Sequence, residues 1–97
     1  MSYEITVQRK SVDFLNRLDD KSRRIVRTRL ATLIEDPYPG KGGDRELIKS
    51  PKGRPEEKVY RLHVGRSFTA FYQICGKIVY VTEILTIEQA HKKYGIL

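Results

Sequence analysis

The sequence has few of the residues that build disulfide-bonded or metal-held proteins. Cys75 is the single cysteine among 97 residues, so it has no partner for an internal disulfide or a zinc site. The two histidines add too few ligands for a dedicated metal cage. There is no apolar run of about 18 residues, which argues against a membrane-spanning helix. We therefore expect no metal and no other cofactor.

The beginning and the length of the chain suggest one intracellular domain. The segment MSYEITVQRK lacks the apolar stretch of a signal peptide, so the cytoplasm is the expected compartment. Single domains commonly run to about 100–150 residues. Residues 1–97 are therefore expected to fold as one domain around one core.

What the sequence does have is positive charge. Nineteen Lys and Arg residues against twelve Asp and Glu residues leave a net charge of +7, and the sequence pI is about 9.7. A field of this sign attracts polyanions and speeds their encounter. Nucleic acid, an acidic protein segment and anionic lipid are the candidate partners. Dense surface charge of the kind found in thermophilic proteins is the alternative explanation.

The periodicity of the first half predicts a strand and two helices. Residues 2–8 alternate as in a half-buried strand, and residues 11–18 change to helical spacing. Residues 21–36 form the second helix, which ends before Pro37. Its apolar stripe comprises Ile25, Val26, Leu30, Leu33 and Ile34.

The second half predicts a run of strands. Two Pro/Gly-rich loops enclose a few strand-like residues around Leu47 and Ile48, and three strands follow over 58–64, 68–75 and 77–85. The tail is predicted as a short helix or an extension. This order, β-α-α-β-β-β, predicts an α+β fold in which an antiparallel sheet of about four strands carries an N-terminal α-hairpin on one face.

Alternation along the segment VYRLHV assigns the two faces of this sheet. Tyr60, Leu62 and Val64 point one way, and we expect them to meet the apolar stripe of the second helix. Arg61 and His63 point the other way. We therefore expect both cations to lie on an uncovered, solvent-facing surface.

The segment VYRLHVG, the aromatic strand ending FYQI, the hairpin after it and a tail with Tyr94 resemble the RelE/ParE superfamily of type II toxins. The resemblance covers essentially the whole chain. Its RelE branch implies a metal-independent endoribonuclease, an mRNA interferase that cleaves mRNA in the ribosomal A site and inhibits translation. It also implies a cognate antitoxin, expected to be acidic and encoded adjacently, and no membrane partner. The ParE branch implies a non-catalytic inhibitor of DNA gyrase.

Metal-free cleavage of RNA needs a base for the 2′-OH, an acid for the departing 5′-oxygen and cations for the phosphoryl oxygens. Arginine suits the phosphate because its planar fork meets two oxygens, and histidine exchanges protons near neutral pH. On the resemblance, the predicted catalytic residues are Arg61, His63, Arg66, His91 and Tyr94. The predicted RNA-binding residues are Lys49, Lys52, Arg54, Lys92 and Lys93.

The sequence departs from the family pattern at two positions. Thr69 stands where the family has an arginine entering the aromatic strand, and Glu88 and Gln89 stand where an arginine precedes the tail tyrosine. These departures keep the gyrase inhibitor open, as well as a basic RNA-binding module without toxicity. Glu46, Glu56, Glu57 and Glu83 are all conceivable general bases, and their spacing does not select one.

Overall fold

A computed structural model of the chain describes residues 2–40 and 43–94 as a five-stranded sheet with three helices. The strands run in the spatial order β1-β5-β4-β3-β2. Short 3₁₀ turns follow α2 and precede β3. The bounds of the elements are β1 Glu4–Val7, α1 Arg9–Asn16, α2 Asp20–Ala31, β2 Arg45–Lys49, β3 Val59–Val64, β4 Phe68–Cys75, β5 Ile78–Thr86 and α3 Ile87–Tyr94.

The predicted α+β class and the α-hairpin on one face of the sheet are confirmed, and two details of the sheet differ. The strand-like residues around Leu47 form a true fifth strand, β2, which pairs antiparallel with β3. The first strand lies at the opposite edge and runs parallel to β5, with Glu4 beside Ile78. Periodicity reports which residues share a face but not which distant strand becomes a neighbour, so this parallel pair was not predicted.

The α-hairpin owes its shape to polar contacts in the connection between α1 and α2. The Asp19 side chain accepts a hydrogen bond from the Ser22 amide at 3.2 Å and caps α2. The Arg23 guanidinium reaches back and donates to the carbonyl oxygens of Leu15 at 3.0 Å and Leu18 at 2.7 Å. These bonds tie the start of α2 to the end of α1 and to the turn that follows it.

The core lies between the hairpin and the nearer face of the sheet. Its buried members are Leu15, Val26, Leu30, Leu33, Tyr60, Leu62, Val64, Ala70, Tyr72, Val79, Val81 and Ile84. The predicted inward set of β3 is therefore confirmed. The prediction for Ile25 was wrong, since its side chain is 42% exposed. It precedes Val26 by one residue, which turns it about 100° away from the Val26–Leu30–Leu33 stripe.

Tyr72 anchors the loop after α2 to this core. Its ring stacks on Tyr60 with centroids 5.5 Å apart, and its hydroxyl donates to the Pro37 carbonyl oxygen at 2.6 Å. Burial raises the pKa of the Tyr72 phenol above its ordinary value. The hydroxyl therefore stays protonated and keeps its donor role.

Asp44 connects the hairpin to β2. Its carboxylate pairs with Arg29 of α2 and accepts a hydrogen bond from Arg45 at 2.6 Å. Arg45 in turn donates to the Thr32 hydroxyl at 2.7 Å. Burial alone would raise the pKa of Asp44, but the hydrogen bond and charge of Arg45 and the charge of Arg29 outweigh it, and the pKa is lowered.

None of the helices within the described ranges is long and apolar enough to cross a membrane.

The lowered pKa makes Asp44→Asn a test of the hairpin-to-sheet connection. A carboxyl group with a lowered folded pKa stabilises the fold above its unfolded pKa, and this stabilisation is lost as the pH falls through the folded pKa. Denaturant unfolding at pH 7 should show the variant about 1–3 kcal/mol less stable. The difference should remain down to about pH 4 and shrink below it.

The control is Asp13→Asn, which removes one partner of the exposed pair between Arg9 and Asp13. Exposed pairs contribute little, so this variant should change stability by less than about 0.5 kcal/mol. A difference between wild type and Asp44→Asn that stays constant from pH 7 to pH 2.5 would contradict the role given to Asp44.

Candidate functional site: the Arg61 face

The face of the sheet opposite the core is organised around Arg61, and we call this whole surface the Arg61 face. In the pairing register, Arg61 of β3 stands opposite Glu46 of β2 on one side and Phe71 of β4 on the other. Phe71 in turn stands opposite Glu83 of β5. Side chains directly opposite in a sheet share a face, so Glu46, Arg61, Phe71 and Glu83 form one row across four strands. We refer to it as the Arg61 row.

Arg61 lies on the predicted side of the sheet, but the prediction that it faces solvent was wrong. The residue is only 5% exposed, because it stands between the side chains of neighbouring strands. One terminal nitrogen, Nη2, is paired with Glu46 Oε2. Its Nε is buried and has no hydrogen-bond partner within the described ranges. A buried guanidinium nitrogen without a partner is costly, and an anion that reaches it would relieve that cost.

His63 lies on the same face, next along β3. Its imidazole is about one-third exposed at 35%, and its Nε2 is 3.9 Å from Glu46 Oε1. The His63 backbone amide donates to the Asp44 carbonyl oxygen at 2.8 Å, which fixes this end of the strand. Glu46 therefore holds Arg61 with one carboxylate oxygen and faces His63 with the other. The structure brings a cation, a carboxylate and an imidazole together.

Thr69 stands opposite His63 in β4 and is 1% exposed. Its hydroxyl donates to the Leu62 carbonyl oxygen at 3.4 Å. The position where the resemblance led us to expect an arginine thus carries a small side chain whose hydroxyl bonds to the backbone of the neighbouring strand. Arg61 and His63 are the basic residues on this part of the face.

The other residues predicted in the central segment are placed around this site. Lys49 pairs with Val59 and therefore shares the face of Arg61. Lys52 and Arg54 lie exposed in the loop between β2 and β3, where Arg54 Nε is 3.5 Å from Glu57 Oε2. Arg66 lies exposed in the β3–β4 turn, beyond the pair of His63 and Thr69.

The predicted residues of the tail lie on α3. His91 and Lys92 are exposed, and neither has a hydrogen bond or ion pair to the Arg61 row within the described residues. Lys93, predicted to bind RNA, instead has its Nζ 2.5 Å from Glu83 Oε2. The side chain of Tyr94 lies outside the described part of the structure, so its predicted role stays a prediction.

Glu46 is a residue of the candidate site that sequence reasoning did not single out. Its place beside Arg61 depends on the register of β2, a strand of five residues with a bulge between Leu47 and Lys49. The alternation of β3 was readable in the sequence, but the identity of the residue across from Arg61 was not. A recognised strand at 45–49 would have offered Glu46 as a neighbour of Arg61.

The chemistry available on this face is that of anion binding and proton transfer. Arg61 Nη2 is paired with Glu46 and its Nε lies below the surface, so a phosphate oxygen contacts Nε only where neighbouring side chains move aside. The His63 imidazole can accept or donate a proton, and Glu46 Oε1 lies 3.9 Å from its Nε2. Within the described ranges, no group of three or more His, Cys, Asp or Glu side chains is arranged to hold a metal ion.

Comparisons with known proteins relate the fold to one group of structures. No protein-family model matches the sequence, and neither does any curated protein. A chain of the archaeal RelE–RelB complex from Pyrococcus horikoshii OT3 superposes with a TM-score of 0.72 at 17% identity, covering 89% of this chain and 96% of that one. The isolated Escherichia coli RelE toxin gives 0.67 at 15% identity, with coverage of 95% and 98%.

A chain of the E. coli DinJ–YafQ toxin–antitoxin complex gives a TM-score of 0.62 at 14% identity, with coverage of 97% and 98%. The likeness runs over nearly the full length of all three chains. This protein therefore has the RelE-like fold, as the sequence resemblance implied. At these identities the likeness establishes the fold and leaves the activity to be argued from the site.

The pairing of Arg61 with Glu46 predicts a non-additive effect on stability. Glu46→Gln removes the counter-charge of a buried guanidinium and should destabilise the fold by about 1–3 kcal/mol. Arg61→Met alone should also be destabilising. Because both single changes remove the same interaction, the double variant should lose less than the sum of the two.

Denaturant unfolding of the three variants measures this coupling. Glu57→Gln serves as the control, because its partner Arg54 is largely exposed and the pair contributes little. Additive losses for Glu46→Gln and Arg61→Met would show that the two side chains do not stabilise each other.

Proposed function

We propose that this protein is a RelE-like toxin of a toxin–antitoxin pair, and that it acts as a metal-independent, ribosome-dependent endoribonuclease on mRNA. The observation that carries the proposal is the buried Arg61 whose Nε has no partner, held beside Glu46 and His63 on the face opposite the core. The RelE-like fold of the chain and its net charge of +7 support it.

In the proposed reaction, the ribose 2′-oxygen attacks the adjacent phosphorus. His63 accepts the proton of the 2′-hydroxyl, and Glu46 stabilises the imidazolium that forms. The bond from the 2′-oxygen to phosphorus forms and the bond from phosphorus to the 5′-oxygen breaks, which leaves a 2′,3′-cyclic phosphate and a 5′-hydroxyl. Arg61 donates from Nε to a phosphoryl oxygen as its charge grows.

The remaining predicted residues have supporting roles in this proposal. The departing 5′-oxygen takes its proton from His63 or His91, and Tyr94 positions the nucleotide. Arg66 joins Arg61 at the phosphate. The RNA backbone is held by the basic residues around the face, which are Lys49, Lys52, Arg54 and Lys92, with Lys93 secondary because it is paired with Glu83.

One observation favours a second candidate, the ParE-like inhibitor of DNA gyrase. Thr69 is buried and supplies no charge where an arginine would stand, so the site has fewer cations than the resemblance leads one to expect. A gyrase supercoiling assay with the purified protein separates the two candidates. Overexpression without harm to a bacterial host would instead favour a basic RNA-binding module.

A groove between the α-hairpin and β1 is the proposed site for a cognate antitoxin. It has a volume of about 420 Å³ and is floored largely by aliphatic side chains, with Arg23 and Arg27 at its rim. Arg23 is engaged with backbone carbonyls, whereas Arg27 is exposed and has no ion pair within the described residues. The aliphatic lining comprises Ile5, Val7, Val12, Leu15, Leu30, Ala31 and Ile34.

An acidic, amphipathic helix suits this groove. Its apolar side would cover the aliphatic floor, and its carboxylates would meet Arg27. A second copy of this chain is a poor occupant, because each copy carries a net charge of +7 and the two would repel. Complexes with RelB and DinJ among the similar structures support a partner of the antitoxin kind.

Purified protein with programmed ribosomes tests the proposed activity. Wild type should cut mRNA within the A-site codon. Arg61→Ala should reduce the rate by about 100-fold or more, because it removes the group that stabilises the developing charge. Arg9→Ala is the matched control, since Arg9 is exposed on α1 and pairs with Asp13. Its rate should stay within about twofold of wild type.

Primer extension maps the position of the cut. Identification of a 2′,3′-cyclic phosphate at the new 3′ end checks the mechanism. Intact mRNA with folded wild-type protein would refute the enzyme proposal. Cutting by Arg61→Ala at the wild-type rate would refute the role of Arg61.

The antitoxin proposal is tested with the product of the neighbouring reading frame. It should be acidic, copurify with this protein and bind more weakly to Arg27→Glu by about tenfold or more in calorimetry. Arg9→Glu, away from the groove, should bind within about twofold of wild type. A basic partner, or an Arg27→Glu variant that binds like wild type, would contradict the assignment of the groove.

A further inference from the structure

Glu83 is a largely buried carboxylate at the end of the Arg61 row that the proposed reaction does not use. It lies in β5 and shares the face of Arg61, with Phe71 between them. Its side chain is only 11% exposed. A carboxylate in such a place requires nearby positive charge, since burial of an unpaired charge is costly.

Positive charge reaches Glu83 from two different helices. Lys93 Nζ of α3 is 2.5 Å from Glu83 Oε2, and Lys10 Nζ of α1 is 3.6 Å from the same oxygen. The closer contact involves the last turn of α3. Glu83 therefore joins the sheet, α1 and the end of α3 at one carboxylate.

The start of α3 is fixed by other contacts. The Thr86 hydroxyl accepts from the Gln89 amide at 3.1 Å, and the Gln89 side chain accepts from the Thr86 amide at 3.0 Å, a reciprocal cap. The Ile87 amide donates to the Ser67 carbonyl oxygen of the β3–β4 turn at 2.9 Å. These bonds hold the first turn and leave the last turn to be held by side chains.

An α-helix of eight residues is marginal by itself, so α3 depends on its contacts with the sheet. Ala90 is 1% exposed, and Lys93 follows it by three residues on the same side of the helix. Ala90 packs against the protein body, while Lys93 is about half exposed and reaches Glu83 with its terminal nitrogen. His91 and Lys92 beside it are exposed as well. The pairing of Lys93 with Glu83 therefore also sets how the other basic residues of the last turn are presented.

We propose that Glu83 is a positioning residue that fixes the last turn of α3, and with it the basic segment 91–94, against the Arg61 face. Its effect on catalysis rests on the proposed ribonuclease function. Its effect on α3 does not, because the geometry of the contact is independent of any substrate.

Hydrogen exchange of the backbone amides tests the position of α3 directly. Glu83→Gln keeps the shape of the side chain and removes its charge. Exchange at residues 91–94 should become about tenfold faster, because losing a hydrogen bond to a charged group weakens the last turn by about that factor. Lys93→Gln should have a similar effect, and the double variant should be no faster than either single variant. Exchange in β4 and β5 should keep its wild-type rate.

Glu88→Gln is the matched control, because Glu88 is an exposed glutamate in the first turn of the same helix. Its exchange at residues 91–94 should stay within about twofold of wild type. The proposal is overturned if Glu83→Gln leaves these amides unchanged. It is equally overturned if exchange accelerates across the whole sheet, since that would be a general loss of stability.

The ribosome assay supplies the catalytic readout. Glu83→Gln should lower kcat by about tenfold with KM within about twofold, and an unchanged kcat would refute the positioning role in the reaction. If wild type leaves mRNA intact, the proposed function fails, while hydrogen exchange still decides whether Glu83 holds α3.

Discussion

A guanidinium group buried in a β-sheet needs a nearby negative charge, and the Arg61 face is arranged around this constraint. Arg61 is held among neighbouring strands, and its pairing with Glu46 compensates part of its charge. The pairing leaves Nε buried without a partner. One hydrogen bond on this face is therefore unmet, at a nitrogen that lies below the surface.

The alternation of side chains along β3 relates the core to the candidate site. The alternation of β3 that sends Tyr60, Leu62 and Val64 into the core places Arg61 and His63 on the other face. A shift of the register by one residue would exchange the two sets and lose both the core and the site. The core and the candidate site thus depend on the alternation of the same strand.

The sequence was sufficient for what depends on short-range periodicity. It predicted the helical hairpin, the faces of β3 and a sheet behind them, and it placed Arg61 and His63 side by side. It did not predict the parallel pairing of β1, the neighbour of Arg61 in β2, or the contact between Glu83 and Lys93. Each of these joins segments whose relative position is decided by the packing of the whole chain.

The proposed reaction depends on a contact between Arg61 Nε and a phosphate of RNA. Nuclear magnetic resonance of the arginine Nε–Hε groups, during titration with a 2′-O-methylated RNA oligonucleotide that cannot be cleaved, tests it most directly. On binding, the Arg61 resonance should move downfield, and Glu46→Gln should alter this response. An Arg61 resonance that stays in place while the exposed arginines shift would refute this contact.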